Sequence, residues 1–268
     1  MFQHTGRQTK RRPSCCSEET IPPLSMKFYR HKWRGFNRKG IQMKKIYLLR
    51  HAQSAANAGK SGDIVKYANA DIPITELGQK QAEQLSMWLS EHVEDVREIF
   101  VSSYLRTRQT AAPYVQALQI SPIVLPDLHE FNYLSFAHLH GKTFQDLRSR
   151  SESYWARDDA DFKDGDDCDS FASFFNRIRN VRRYFAEKED GVYVVFGHGF
   201  WIGVLLWQLI GRFSGSPDMQ KFREFELLVR PKNTDVYLWQ IDGAVESIAK
   251  VRNTDADVDT LRDKSEHL

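Results

Sequence analysis

Two short, unbroken apolar runs constrain this chain more than any other feature of its sequence. Ile46-Tyr-Leu-Leu49 and Val192-Tyr-Val-Val-Phe196 show no alternation of polar and apolar residues. A strand of that kind is buried on both faces and needs a covering layer on each side. The segments between them supply those layers. Thr75 to His92 reads as a helix that Thr75 can cap, with Leu85, Trp88 and Leu89 at helical spacing. Glu98 to Ser102 reads as a strand, Tyr104 to Leu118 as a helix containing Pro113, and Ile123 to Leu125 as a third strand. Phe171 to Ala186 carries Phe171, Phe174, Phe175, Ile178, Val181 and Phe185 on one helical face, and the apolar helix Phe200 to Ile210 follows the second run. Val236–Ile241 and Val245–Val251 flank Asp242-Gly243, a hairpin signal. The expected fold is α/β: a three-layer sandwich with a mostly parallel central sheet, helices on both faces and a late β-hairpin.

Charge divides the chain. The net +3 over 268 residues is the sum of 38 basic and 35 acidic residues. Residues 1–42 hold ten Lys/Arg and two Glu, a net of +8, so the rest has 28 basic and 33 acidic residues, a net of −5. An acidic body argues against nucleic acid as a partner. The leader, residues 1–42, lacks periodicity, carries Pro13, Pro22 and Pro23, and has no continuous apolar stretch of a secretory signal. It reads as disordered, or as lying upstream of a natural start at Met43. The domain is expected over 43–254, and residues 255–268 read as a polar, frayed tail. No run of eighteen apolar residues occurs, which argues against a membrane-spanning helix. Three cysteines, two of them adjacent (Cys15, Cys16), make no disulfide framework, and a reducing, cytoplasmic compartment is expected.

In a sheet of this type ligands bind at the carboxyl ends of the strands. Three strand ends are chemically notable. The first runs into Arg50-His51-Ala52-Gln53-Ser54, the second into Ser102-Ser103-Tyr104-Leu105-Arg106, and the Val192 strand into Gly197-His198-Gly199. Two arginines and two histidines are thereby expected at one edge. The planar guanidinium fork matches phosphate oxygens, and a neutral imidazole nitrogen beside them is a nucleophile for phosphorus.

Arg50-His51, then Ser102-x-x-x-Arg106-x-x-Gln109-Thr110-Ala111, then His198-Gly199 resemble the histidine phosphatase superfamily, which includes cofactor-dependent phosphoglycerate mutases and small phosphomonoesterases. Asp71-Ile-Pro-Ile-Thr75-Glu-Leu-Gly78-Gln-Lys-Gln81 and Asn233-Thr234-x-Val236 look like further segments of that pattern. The resemblance runs from about Lys44 to about Ile241 and points to the small bacterial-type phosphatase branch. It implies that His51 attacks the phosphoryl group and that Arg50, Arg106 and His198 hold its oxygens. Ser54, Asn57 and Gly199 would line the phosphate pocket, and Glu130 would be the proton donor. It implies no metal and no cofactor, with a small-molecule phosphate ester as partner and a phosphoprotein as the lesser alternative. Two departures stand out: Ala52 replaces the usual Gly, and the stretch after Glu130 lacks a second acidic group. The mutases' Arg-Arg-Ser segment has no counterpart, which favours a phosphatase.

Plainer readings compete. A lone Arg-His pair is usually an exposed basic pair, His198 between glycines could be a turn residue, and Glu130 could be a solvated carboxylate. His129, His138 and His140 lack a convincing metal-ligand pattern. Asp158, Asp159, Asp161, Asp164, Asp166, Asp167 and Asp169 fail the spacing of a calcium loop and read as a solvated acidic loop. Arg148 and Arg150 hint at a second anionic group in the substrate, within the insert 131–170 that the family resemblance makes the specificity segment. A mutase-type phosphotransferase and an inactive phospho-ligand-binding relative stay open as alternatives.

Overall fold

The computed structural model describes residues 43–211 and 217–254. The leader expected over 1–42 and the tail expected over 255–268 lie outside the described residues. In chain order the elements are β1 (Met43–Arg50), α1 (Ala55–Ala58), α2 (Glu76–His92), β2 (Val96–Val101), α3 (Leu105–Leu118), β3 (Ile123–Val124), α4 (Phe136–Leu139), α5 (Phe144–Ala156), α6 (Phe171–Glu187), β4 (Gly191–Gly197), α7 (Gly199–Gly211), α8 (Met219–Val229), β5 (Val236–Asp242) and β6 (Val245–Arg252).

The described strands form one six-stranded sheet in the order β3-β2-β4-β1-β5-β6. Strands β1 to β4 are mutually parallel, and β5 and β6 form an antiparallel hairpin at one edge. The two apolar runs are the neighbouring central strands β1 and β4. Successive residues serve opposite cores: Ile46 and Leu48 with Tyr193 and Val195 on one side, Leu49 with Val194 and Phe196 on the other. Helices α2 and α3 cover the second side through Leu85, Leu89, Ala111 and Tyr114. Helices α6 and α7 cover the first through the expected six-residue apolar face of α6 and through Trp201, Val204 and Leu205. Three layers result, as the strand pattern requires.

Local differences have local causes. Strand β2 starts at Val96, and a bulge between Val96 and Glu98 interrupts its alternation. Strand β3 keeps only two exposed residues, because Pro126 opens a 3-10 turn directly after Leu125. The insert contains two helices, α4 and α5. Thr143 and Asp146 form a reciprocal capping box at the start of α5.

The solvated acidic loop is corrected in part. Asp158, Asp159, Asp161, Asp166 and Asp167 are exposed, but Asp164 takes both Arg150 and the Ser135 backbone N–H. Asp167 accepts from the Phe136 N–H, and Asp169 pairs with Arg177 while accepting from the Asn132 N–H. These three carboxylates tie the 160s loop to the 130s loop. Burial, then Asp167 and Asp164, push the Cys168 thiol up to about 12, so it stays protonated and unreactive.

Candidate active site

The site is assembled by strand register. Strands β1 and β4 pair in parallel with Arg50 opposite Gly197, so the residues that follow, His51 and His198, leave the sheet side by side. The ladder continues one step further, since the His51 N–H donates to the Gly197 carbonyl at 3.0 Å. The two imidazoles meet edge to face with centroids 5.3 Å apart. Arg106 lies in the first turn of α3, just after β2, and reaches the same place.

Arg50, His51, Ser54, Asn57, Arg106, Glu130 and Gly199 all line one cavity of about 350 Å³. His198 is fully buried and packs edge to face beside His51. The residues expected at one edge from the sequence are therefore together.

Hydrogen bonds fix the state of His51. Its Nδ1 faces the Ala52 carbonyl at 2.8 Å, and a carbonyl can only accept, so Nδ1 carries the proton. Nε2 accepts from Arg106 Nε at 3.2 Å and keeps its lone pair. Burial, followed by the positive charges of Arg106 and Arg50, holds the His51 pKa well below its usual value. The ring is neutral at pH 7. His198 is held low as well, by burial first and then by Arg106. Its Nε2 lies 2.7 Å from Ser102 Oγ, whereas its Nδ1 has no hydrogen-bond partner within the protein.

The arginines are braced. Arg106, pushed down to about 10 by burial and still charged at pH 7, donates to the backbone carbonyl and side-chain oxygen of Asn69. Arg50 donates to the Pro231 carbonyl, while its Nε is buried without a protein partner. Glu130 occupies the start of α7: its oxygens accept from the Phe200 and Trp201 N–H groups at 3.1 and 3.2 Å, and from Phe131 N–H at 3.0 Å. A helix start favours the carboxylate. Burial works the other way and raises the Glu130 pKa, opposed by the Phe131 N–H, Arg106 and Arg50.

Ser54 caps α1 in a capping box with Asn57. Asn233 donates to both Asn57 Oδ1 and the His51 carbonyl, which gives the late Asn-Thr motif a bracing position. Ala52 in place of the usual Gly fits, because Ala52 is not among the residues at positive φ. Gly78 has a stricter reason. A Cβ there would stand 2.2 Å from the Gln53 carbonyl oxygen, so only glycine lets α2 approach the loop that follows His51.

Sequence reasoning missed four residues. Asn69 has no local signature. Arg223, Glu226 and Arg230 line the cavity, with Glu226 buried between the two guanidiniums. Their i, i+3 and i+4 spacing was the available signal, although it reads equally as a solvated helix face. The hint of a second anion site at Arg148 and Arg150 is corrected. Arg150 is bound to Asp164, Arg148 donates to Ser61 Oγ, and neither lines the cavity. Phe200 reaches the cavity wall, while Trp201 is core.

Known proteins resemble this chain in sequence and in shape. A PE-PGRS family protein of Mycobacterium tuberculosis is 34% identical over 102 residues, 38% of this chain and 15% of that protein. A protein of Schizosaccharomyces pombe named a probable phosphatase is 37% identical over 84 residues, 31% of this chain and 37% of that protein. The aligned stretches span well under half of either curated relative. The alpha-ribazole phosphatase of Shigella flexneri superposes with a TM-score of 0.60 at 20% identity, covering 78% of this chain and 96% of that one. A phosphoserine phosphatase of Entamoeba histolytica, solved with phosphoserine, gives 0.58 at 18% identity, covering 77% and 96%. These structures share the fold. Residues 46–254 match the family model of the histidine phosphatase superfamily, branch 1, and the chain belongs to that superfamily.

Proposed function

We propose that this protein is a phosphomonoester hydrolase working through a phosphohistidine on His51, with no metal and no cofactor. The observation that carries the reading is the state of His51: Nδ1 is tied to the Ala52 carbonyl, and the Nε2 lone pair is kept at a wall shared with Arg50 and Arg106. In the first step Arg106 turns from His51 Nε2 to a phosphoryl oxygen, and the freed Nε2 lone pair forms a bond to phosphorus as the ester P–O bond breaks. Glu130 gives its proton to the departing alkoxide. Water then attacks phosphorus, Glu130 takes a proton from that water, and the P–N bond breaks. Inorganic phosphate leaves and His51 is again neutral.

Charge that spreads over the phosphoryl oxygens meets Arg50 and Arg106. Two of the buried nitrogens without protein partners, Arg50 Nε and His198 Nδ1, suit the same oxygens. Ser102 Oγ accepts from the Tyr104 N–H and lies within bonding distance of both Thr107 Oγ1 and His198 Nε2; when its hydroxyl donates to His198 Nε2, Nδ1–H is left as a donor. Ser54, Asn57 and Gly199 complete the wall. A cytoplasmic setting suits the cysteine usage.

The test is phosphate release over a panel of monoesters with chelator present and His51→Ala as control, together with acid-labile phosphoryl label on the protein. Release that persists with chelator and is lost in the variant is expected. Stimulation by a phosphorylated cofactor without phosphate release would favour a mutase, and phosphate affinity without turnover would favour a binding module. Chelator-sensitive turnover would replace the proposal with a metallophosphatase.

A further inference from the structure

Beside the cup lies a second cavity of about 750 Å³, larger than the cup itself. The two share a wall made of Ala56, Asn69, Ile72, Phe131 and Tyr133. The rest of the larger chamber is built from the segment after α1 and from the insert, including Leu139, Phe144 and Leu147. Among the described residues that line it, Asp63 and Lys66 alone carry charge. Ile64 and Tyr67, both large and about half exposed, stand on its lining and add to its accessible apolar surface.

We infer that the chamber receives the leaving group of the substrate, and that the preferred substrates are monophosphates of bulky apolar alcohols. The inference rests on the hydrolase reading above. An ester whose phosphoryl group occupies the cup has its alkoxy oxygen at Glu130. Phe131, the next residue, belongs to the wall common to both cavities, so the carbon skeleton on that oxygen adjoins the chamber. An apolar skeleton gains from burial there. A sugar or polyol presents hydroxyl groups to the side of the chamber formed by Leu139, Phe144 and Leu147, where no side chain can bond them, which costs affinity and rate relative to an alkyl group; Asn69, Asn132 and Tyr67 offer partners only elsewhere on the lining. Arg148 and Arg150, which hinted at a second anionic group, are not on the chamber lining.

A ladder of primary alkyl phosphates from ethyl to octyl tests this at constant leaving-group chemistry. The value of kcat/KM should rise roughly two- to fourfold per added methylene and exceed that for glycerol phosphate. A flat or falling ladder with phosphate still released overturns the inference and leaves the hydrolase reading intact. Calorimetry of octylphosphonate against ethylphosphonate, neither of which is hydrolysed, separates the two readings further. Tighter octyl binding by an inert protein supports the chamber and sinks the hydrolase; equal binding sinks the chamber. Ile64→Asp, at a half-exposed position, should flatten the ladder, and so should Leu147→Asp. A slope unchanged in both variants would place the gain elsewhere and overturn the assignment.

Discussion

Arg106 Nε donates to His51 Nε2 across 3.2 Å, so a cation rests on the lone pair that the proposed chemistry uses. The contact holds off a proton and keeps the nitrogen aimed at the cup. It also couples two residues from different strand ends into one unit.

Replacing Arg106 by Gln removes that cation. Burial and then Arg106 lower the His51 pKa, so the variant's imidazole should titrate closer to its ordinary 6.5. NMR titration of the free protein reads this directly. Phosphate release near pH 7 should fall about 10²- to 10³-fold, because an oxyanion contact is lost too. An unmoved His51 titration would show that Arg106 does not control it.

Glu130→Gln separates capping from proton donation. The amide oxygen can still accept from the Phe131 and Trp201 N–H groups, but the amide NH2 cannot accept from Phe200 N–H, so a stability loss of about 1–3 kcal/mol is expected alongside the kinetic effect. Turnover of alkyl esters should drop about 10²- to 10⁴-fold, with a much smaller loss for aryl esters whose leaving group needs no proton. Equal losses for both classes would count against a donor role.

Gly78→Ala tests the contact between α2 and the loop after His51. The added Cβ meets a backbone oxygen rather than a yielding side chain, so the helix or the loop must shift. A cost of about 1–3 kcal/mol in denaturant unfolding is expected, with reduced phosphate release.

Folding stability should depend on pH through the two buried histidines. Both titrate well below 6.5 when folded, so as pH falls below 6.5 the unfolded chain takes up protons that the folded chain refuses. Stability is therefore fully present above pH 6.5 and declines as pH falls below it. Glu130, raised by burial, works in the opposite direction in the range above 4.5. His198→Gln should make the decline between pH 7 and 5 shallower in equilibrium unfolding.

Much of this was legible because both-face burial leaves a pattern: Ile46–Leu49 and Val192–Phe196 are short, unbroken apolar runs rich in β-branched and aromatic residues, which favours central strands over helix. Arg50, His51, Arg106 and His198 were placed by one inference, that strand ends share an edge. Asn69 was not legible, since its bond to Arg106 joins a loop to a helix and no local pattern marks it. The 160s carboxylates were misread for a similar reason. Exposed and bridging aspartates look alike until Arg150, Arg177 and the backbone of Ser135 and Asn132 are placed around them. Helix α5 had its Thr143–Asp146 signature in plain view, but the polar residues that follow obscured it.

The pairing of Arg50 with Gly197 has a consequence for how this molecule comes into being. Its two imidazoles belong to distant stretches of the polymer and become neighbours only when a long crossover has closed. No partial product of synthesis or proteolysis that lacks either strand can hold them together. Both strands must be present before the two imidazoles can become neighbours.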